Sequence, residues 1–185
     1  MGTMVSEGEK KFIFAPTGLQ QAVCYGEWDL GWQKVEWEGK EKIMHKLMLG
    51  FELKETIESG EYEGKRFCVF KKYTALLSDK ATLRKDLESW RGREFTKDEL
   101  KGFDIGNVVG KGCMLNITHK EANGKTYVNI SSISPLMKGM ENMIPENSSV
   151  TPDWIKKIQG EAVDDVETIE PGPIHSDNES EEIPF

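Results

Sequence analysis

Between Trp32 and Lys42 the chain interleaves flat rings with ammonium groups: Trp32, Lys34, Trp37, Lys40 and Lys42. Two further segments repeat the mixture. Lys72 and Tyr73 sit together, with Lys46 upstream, and Lys120, Lys125, Tyr127 and Asn129 flank the dipeptide Asn123-Gly124. A ring stacks on any unpaired base and a lysine neutralises a phosphate. Aromatic residues among bases therefore suit single-stranded nucleic acid held without reading its sequence. Taken singly, each lysine is an ordinary solvated charge. Trp28 and Phe70 read as core by their burial tendency and their neighbours. The clustering carries the reading.

Other chemistries lack their residues. Gly106 to Gly112, GNVVGKG, has no Ser or Thr where a phosphate-binding loop needs one for magnesium. His45, His119 and His175 show no metal-ligand spacing, and no cysteine lies at ligand distance from a histidine. Cys24, Cys68 and Cys113 form no CxxC pair, and each lies in an apolar segment. They are expected to be buried free thiols in a reducing compartment. The expectation is therefore no catalytic residue, no metal and no cofactor.

These residues need elements to position them. Leu19–Asp29 reads as a first strand, followed by a Trp- and Lys-rich loop over 31–42. Ile43–Glu55 alternates with a period of two, Ile43, His45, Leu47, Leu49, Phe51 and Leu53 on one face, and Gly50 suggests a bend. Arg66–Thr74 is a third strand, with Lys71 and Lys72 on opposite faces. The period then changes. Asp79 can cap a helix running to about Arg91, with Leu83, Leu87 and Trp90 on one stripe and Gly92 beyond its end. Thr96 and Glu99 suggest a capping box for a second, short helix. Cys113–His119 and Lys125–Ser134 form a hairpin through Asn123-Gly124, and Val128 and Ile130 facing in would turn Tyr127 and Asn129 out. Five strands with helices between the third and fourth is the order of an OB-fold barrel. The expected organisation is a flexible 1–11, an OB-fold domain over 12–138 and a connector with a short helix over 139–160. A disordered acidic tail over 161–185 completes it.

Charge is uneven along the chain. The net charge is −8, yet residues 161–185 hold nine carboxylates and no Lys or Arg, leaving 23 acids against 24 bases before residue 161. A near-neutral body has room for a basic face. No apolar run is long enough to span a bilayer, so a soluble, cytoplasmic protein without membrane contact is expected. The first six residues fit a myristoylation pattern literally, but an added leader before a second start at Met4 explains them better.

The acidic tail ends in Glu181-Glu182-Ile183-Pro184-Phe185. That ending resembles the acidic tip of bacterial single-stranded-DNA-binding proteins. The body, over about 12–138, resembles small phage-encoded OB-fold proteins, through LRKDLESWRGREF at 83–95 and VGKGCMLNITHKEANGKTYVNISSISP at 109–135. The resemblance implies a single-stranded DNA-binding protein of phage replication or recombination, not an enzyme. It also implies a tip whose Phe185 enters an apolar pocket on replication or recombination proteins while the terminal carboxylate meets a base there. The chain departs from the bacterial pattern in its helical insertion and in lacking a Gly/Gln-rich linker, so bacterial stacking residues cannot be transferred and a homo-oligomer is left open. Two rivals stand beside this reading. One is a protein-interaction module, inhibitor or adaptor, whose acidic tail mimics nucleic acid; the other is a nuclease subunit with a bound divalent ion.

Overall fold

The computed structural model describes residues 13–148 and 150–163. Five antiparallel strands form one sheet: β1 (Gly18–Trp37), β2 (Lys40–Thr56), β3 (Arg66–Thr74), β4 (Gly112–Ala122) and β5 (Lys125–Ser134), in spatial order β3-β2-β1-β4-β5. The sheet is open between β3 and β5. Helix α1 (Thr82–Arg91) and the single turn α2 (Lys97–Leu100) lie between β3 and β4, and α3 (Asp153–Gly160) comes after the sheet.

The expected loop over 31–42 is instead the end of a long β-hairpin. Trp37 pairs with Lys40 across a two-residue turn, Glu38-Gly39, with φ of 50° and 73°. Two successive positive φ angles match the right-handed twist of the flanking strands. The expected bend at Gly50 also resolves differently, because the register shifts lie in β1, at Tyr25 and Leu30. Gly50 pairs with Gly26, and the ring of Trp28 lies over both. A Cβ on Gly50 would stand 2.7 Å from Trp28 Cζ3, so this glycine serves close approach.

Alternation expects one apolar face on β2, yet Leu47 to Leu53 are buried on both faces. The inner face holds Leu47, Leu49, Phe51 and Leu53 with Val69, Tyr73, Leu115 and Ile133, closed by Leu83, Leu87 and Trp90 of α1. Helix α1 also ties the sheet edges. Asp86 accepts from Lys71 (2.6 Å) and Tyr73 (2.7 Å) of β3, and Ser89 donates to the Ile133 carbonyl of β5 at 2.6 Å. Helical caps differ from expectation. Asp79 pairs with Arg84 at 2.6 Å while α1 starts after Ala81, and Glu99 approaches Arg91 rather than closing a capping box. Gly92 ends α1 with φ of 72°, as its position suggests.

The outer face is covered by the chain beyond β5. Glu52, fully buried on that face, accepts from Arg66 (3.0 Å), from the backbone N–H of Glu146 (2.9 Å) and Asn147 (2.7 Å), and from the Asn147 amide (2.9 Å). Gln21 and Asn142 add bonds to the Glu141 and Gly110 carbonyls. Residues 141–147 thus lie across β1, β2 and β3. Helix α3 then packs Ile155 against Leu30 and Met48, beside Trp28 and Phe70.

Glu161 to Val163, expected to begin the disordered tail, still lie on β1: Val163 donates its N–H to the Trp32 carbonyl at 2.8 Å. Cys24 and Cys113 are buried, with burial pushing the Cys24 thiol up to about 12, whereas Cys68 is exposed rather than buried as expected. It sits on the outer face beside Phe70, where alternation puts it.

Two substitutions test this architecture by urea unfolding. Glu52→Ala strands the backbone N–H groups of Glu146 and Asn147 and removes one partner of Arg66, and should cost about 3 kcal/mol. Gly50→Ala forces the Trp28 ring to move, and should cost about 1–3 kcal/mol. A midpoint equal to the parent's in either variant would contradict the contacts described.

Candidate nucleic-acid interface

Pairing register and alternation assign each expected site residue to a face of the sheet. Trp37 stands opposite Lys40, Val35 opposite Lys42, and Met48 opposite Lys72, all on the outer face with Lys46. In the second hairpin Lys120 stands opposite Tyr127, Ala122 opposite Lys125, and Thr118 opposite Asn129, again on the outer face. Tyr127 and Asn129 therefore point out, as Val128 and Ile130 facing in require. Nine expected residues share one face.

Three do not. Trp32 and Lys34 lie on the inner side of the first hairpin, because the second bulge of β1 offsets their parity from that of Trp28. Trp32 is 41% exposed and stacks on His45, centroids 5.3 Å apart, while His45 Nε2 lies 2.7 Å from Asp29 Oδ1. Lys34 pairs with Glu41 at 3.2 Å, which spends its charge locally. Tyr73, expected at the interface, is buried at 3% exposure. Its hydroxyl donates to Asp86, and burial together with that carboxylate raises its pKa. It is a structural tie between β3 and α1.

The outer residues are chemically of one kind. Trp37 is 59% exposed and Tyr127 51%, each with a lysine directly across the strand pair. Among the described residues, Lys40, Lys42, Lys46, Lys72, Lys120 and Lys125 make no ion pair, whereas Lys34, Lys71 and Lys156 do. Carboxylates of the same strands take the other side: Glu36 pairs with Glu41 across the inner face of the first hairpin, and Glu121 alternates with Lys120. Lys46 donates to Thr74 Oγ1 at 2.6 Å, and its pKa is lowered by burial and then by neighbouring Lys72. Lys46 and Lys72 are diagonal neighbours across β2 and β3 on this face, and neither makes an ion pair among the described residues.

The inner side carries the opposite sign. A pocket of about 330 Å³ lies where Glu27, Asp29 and His45 rim a floor including Leu47, Leu83 and Phe103. Burial, then Asp104 and Asp29, raise the Glu27 pKa. Burial alone would raise Asp29 too, but the Gly31 N–H and His45 hold it below the usual range. No Lys or Arg lines this pocket.

The sequence reading missed the centre of the outer face, where Trp28 and Phe70 are half-buried under α3 rather than part of the main core. The signal was available in β3, where Phe70 and Lys72 share parity. The expected partner-binding tip, Glu181, Glu182, Ile183, Pro184 and Phe185, lies outside the described residues, as does 1–11. Among the described residues no group of three or more His, Cys, Asp or Glu side chains converges on a metal position, and no helix is long and apolar enough to cross a membrane. No family model matches the chain, and no curated protein is significantly similar to it.

Tyr73→Phe separates structure from interface. It should cost about 1.5 kcal/mol in urea unfolding through the lost bond to half-buried Asp86, and leave any ligand binding through Trp37 and Tyr127 unaltered. A stability-neutral Tyr73→Phe that weakens ligand binding would return Tyr73 to the interface.

Proposed function

We propose that the chain is a sequence-tolerant single-stranded DNA-binding protein of phage replication or recombination, without catalytic activity, built on an OB-type barrel. The observation that carries the reading is the sorting of charge by face. Exposed rings and lysines without carboxylate partners share the outer side of both hairpins, while Glu36, Glu41 and Glu121 of the same strands fall on the inner side and the one outer acid among these strand residues, Glu52, is buried and paired with Arg66. Stacking and phosphate neutralisation need those two groups together and need carboxylates elsewhere.

The strand order supports the OB assignment. An OB barrel is a partly open five-stranded sheet of this order, curled until β3 approaches β5, and it binds strands of nucleic acid on the β2–β3 face between the β1–β2 and β4–β5 loops. Those two connections here are Glu38-Gly39 and Asn123-Gly124, next to Trp37 with Lys40 and Tyr127 with Lys120. The acidic tip is proposed to recruit replication or recombination proteins.

Fluorescence titration with oligo(dT) tests the reading. Affinity should fall with salt, with a log–log slope of about −0.7 per phosphate contacted. Trp37→Ala and Tyr127→Ala should each cost about 1–3 kcal/mol of binding. A folded protein that retains no oligo(dT) at low salt would instead favour the protein-interaction module.

A further inference from the structure

The middle of the outer face is occupied by the chain itself. Trp28 and Phe70 lie there with centroids 6.2 Å apart; Met48 stands between Trp28 and Lys72 in the register, and Lys46, two residues before Met48, shares that face. Over them runs 151–163. The indole N–H of Trp28 donates to Thr151 Oγ1 at 3.1 Å, and Trp154 meets Phe70 edge-on, centroids 4.8 Å apart at 89°. Gln33 donates to the Ile158 carbonyl at 3.0 Å, and Gln159 donates to the Asp29 carbonyl at 2.7 Å.

We propose that Trp28, Phe70, Lys46 and Lys72 form a base-stacking subsite for single-stranded DNA, which the α3 segment occupies here and which a DNA strand takes by displacing it. The proposal rests on the DNA-binding reading and names a further part of its site.

Three features carry it. First, the contents match the ligand: two rings for bases and two ammonium groups without carboxylate partners for phosphates, on the face that already bears Trp37 and Tyr127. Lys46 and Lys72 stand diagonally across β2 and β3 on one face, so an anion between them meets positive charge from both strands. Second, the occupant presents a base-like group. The aromatic ring of Trp154 meets Phe70 edge-on, not stacked, and stays 43% exposed, so much of its surface gains little from being there. Third, the occupant is lightly held. Helix α3 has eight residues, too few to be stable alone, and Ile155 is its only fully buried side chain. The main core of α1 and the inner face does not depend on it.

The test uses the full chain and oligo(dT) at low salt. Ile155→Asp should undock the segment and tighten binding about tenfold, as expected when the competent state is no longer a minor one. Trp154→Ala, at a partly exposed position, should act in the same direction with the fold intact. Adding Lys72→Glu or Phe70→Ala to either should abolish the gain. In the parent protein, hydrogen exchange of amides in 155–163 should accelerate when oligo(dT) is added. If the parent binds DNA, Trp37→Ala weakens it, and both α3 variants leave affinity unchanged while 155–163 keep their protection, the subsite is wrong and the DNA-binding reading stands. If neither parent nor variants bind oligo(dT), the reading and the subsite fall together.

Discussion

A buried carboxylate organises the outer half of this molecule. Taking Glu52 out of water costs several kcal/mol, and only close, complete pairing offsets it. Arg66, the N–H groups of Glu146 and Asn147, and the Asn147 amide supply that pairing at 2.7–3.0 Å. The Arg66 guanidinium is in turn held by the Ile144 carbonyl at 2.8 Å and by Glu146 at 3.2 Å. The route that 144–147 takes satisfies all these groups. The segment is therefore fixed across the sheet, and it delivers α3 to Trp28 and Phe70. The apolar contacts of Ile155 result from the polar clamp as much as they reinforce it.

The shape of β1 is the second constraint. Its two extra residues, Tyr25 and Leu30, are both buried, so each bulge adds packing to a face while it offsets the alternation beyond it. Trp28 and Trp32 are four residues apart and would share a face of a regular strand. They lie on opposite ones. The glycines opposite each other under Trp28 let its ring sit against the backbone, which gives the outer face a flat aromatic floor instead of a ridge. A sheet built this way serves two surfaces of different chemistry, an apolar inner core and an outer face of rings and ammonium groups.

Elements whose information is local were legible from sequence: the Asn123-Gly124 hairpin, β3, the apolar stripe of α1 and its Gly92 terminus. The first hairpin was misread because its arm extends past the core. With both faces wet over 33–42, no apolar period marks it, and Glu38 is an unusual residue at positive φ. Tyr73 was misplaced because a tyrosine beside lysines reads as a platform until Asp86, thirteen residues on, is known to receive its hydroxyl. Trp32 was misplaced because a bulge has no signature in a strand of mixed composition. Glu52 could not have been read at all, since its backbone partners lie 94 and 95 residues away.

Charge sorting explains why a net charge of −8 does not argue against a polyanionic partner. A phosphate near the outer face responds to the lysines within a Debye length, about 8–10 Å at physiological salt, and is shielded from the rest. Lys40, Lys42, Lys46, Lys72, Lys120 and Lys125 have spent none of their charge on carboxylates among the described residues, while Lys34, Lys71 and Arg66 have. The pleat does this sorting. In β2, Lys42 and Lys46 alternate with Glu41 and His45, and in β4 Lys120 alternates with His119 and Glu121, so successive side chains fall on opposite sides. A one-residue slip in either strand would exchange the two sets and turn acids toward the rings. Register thus decides which side chains share a face of this sheet. The contacts that pin it are Trp28 on its glycines and Leu47 to Leu53 packed on both sides.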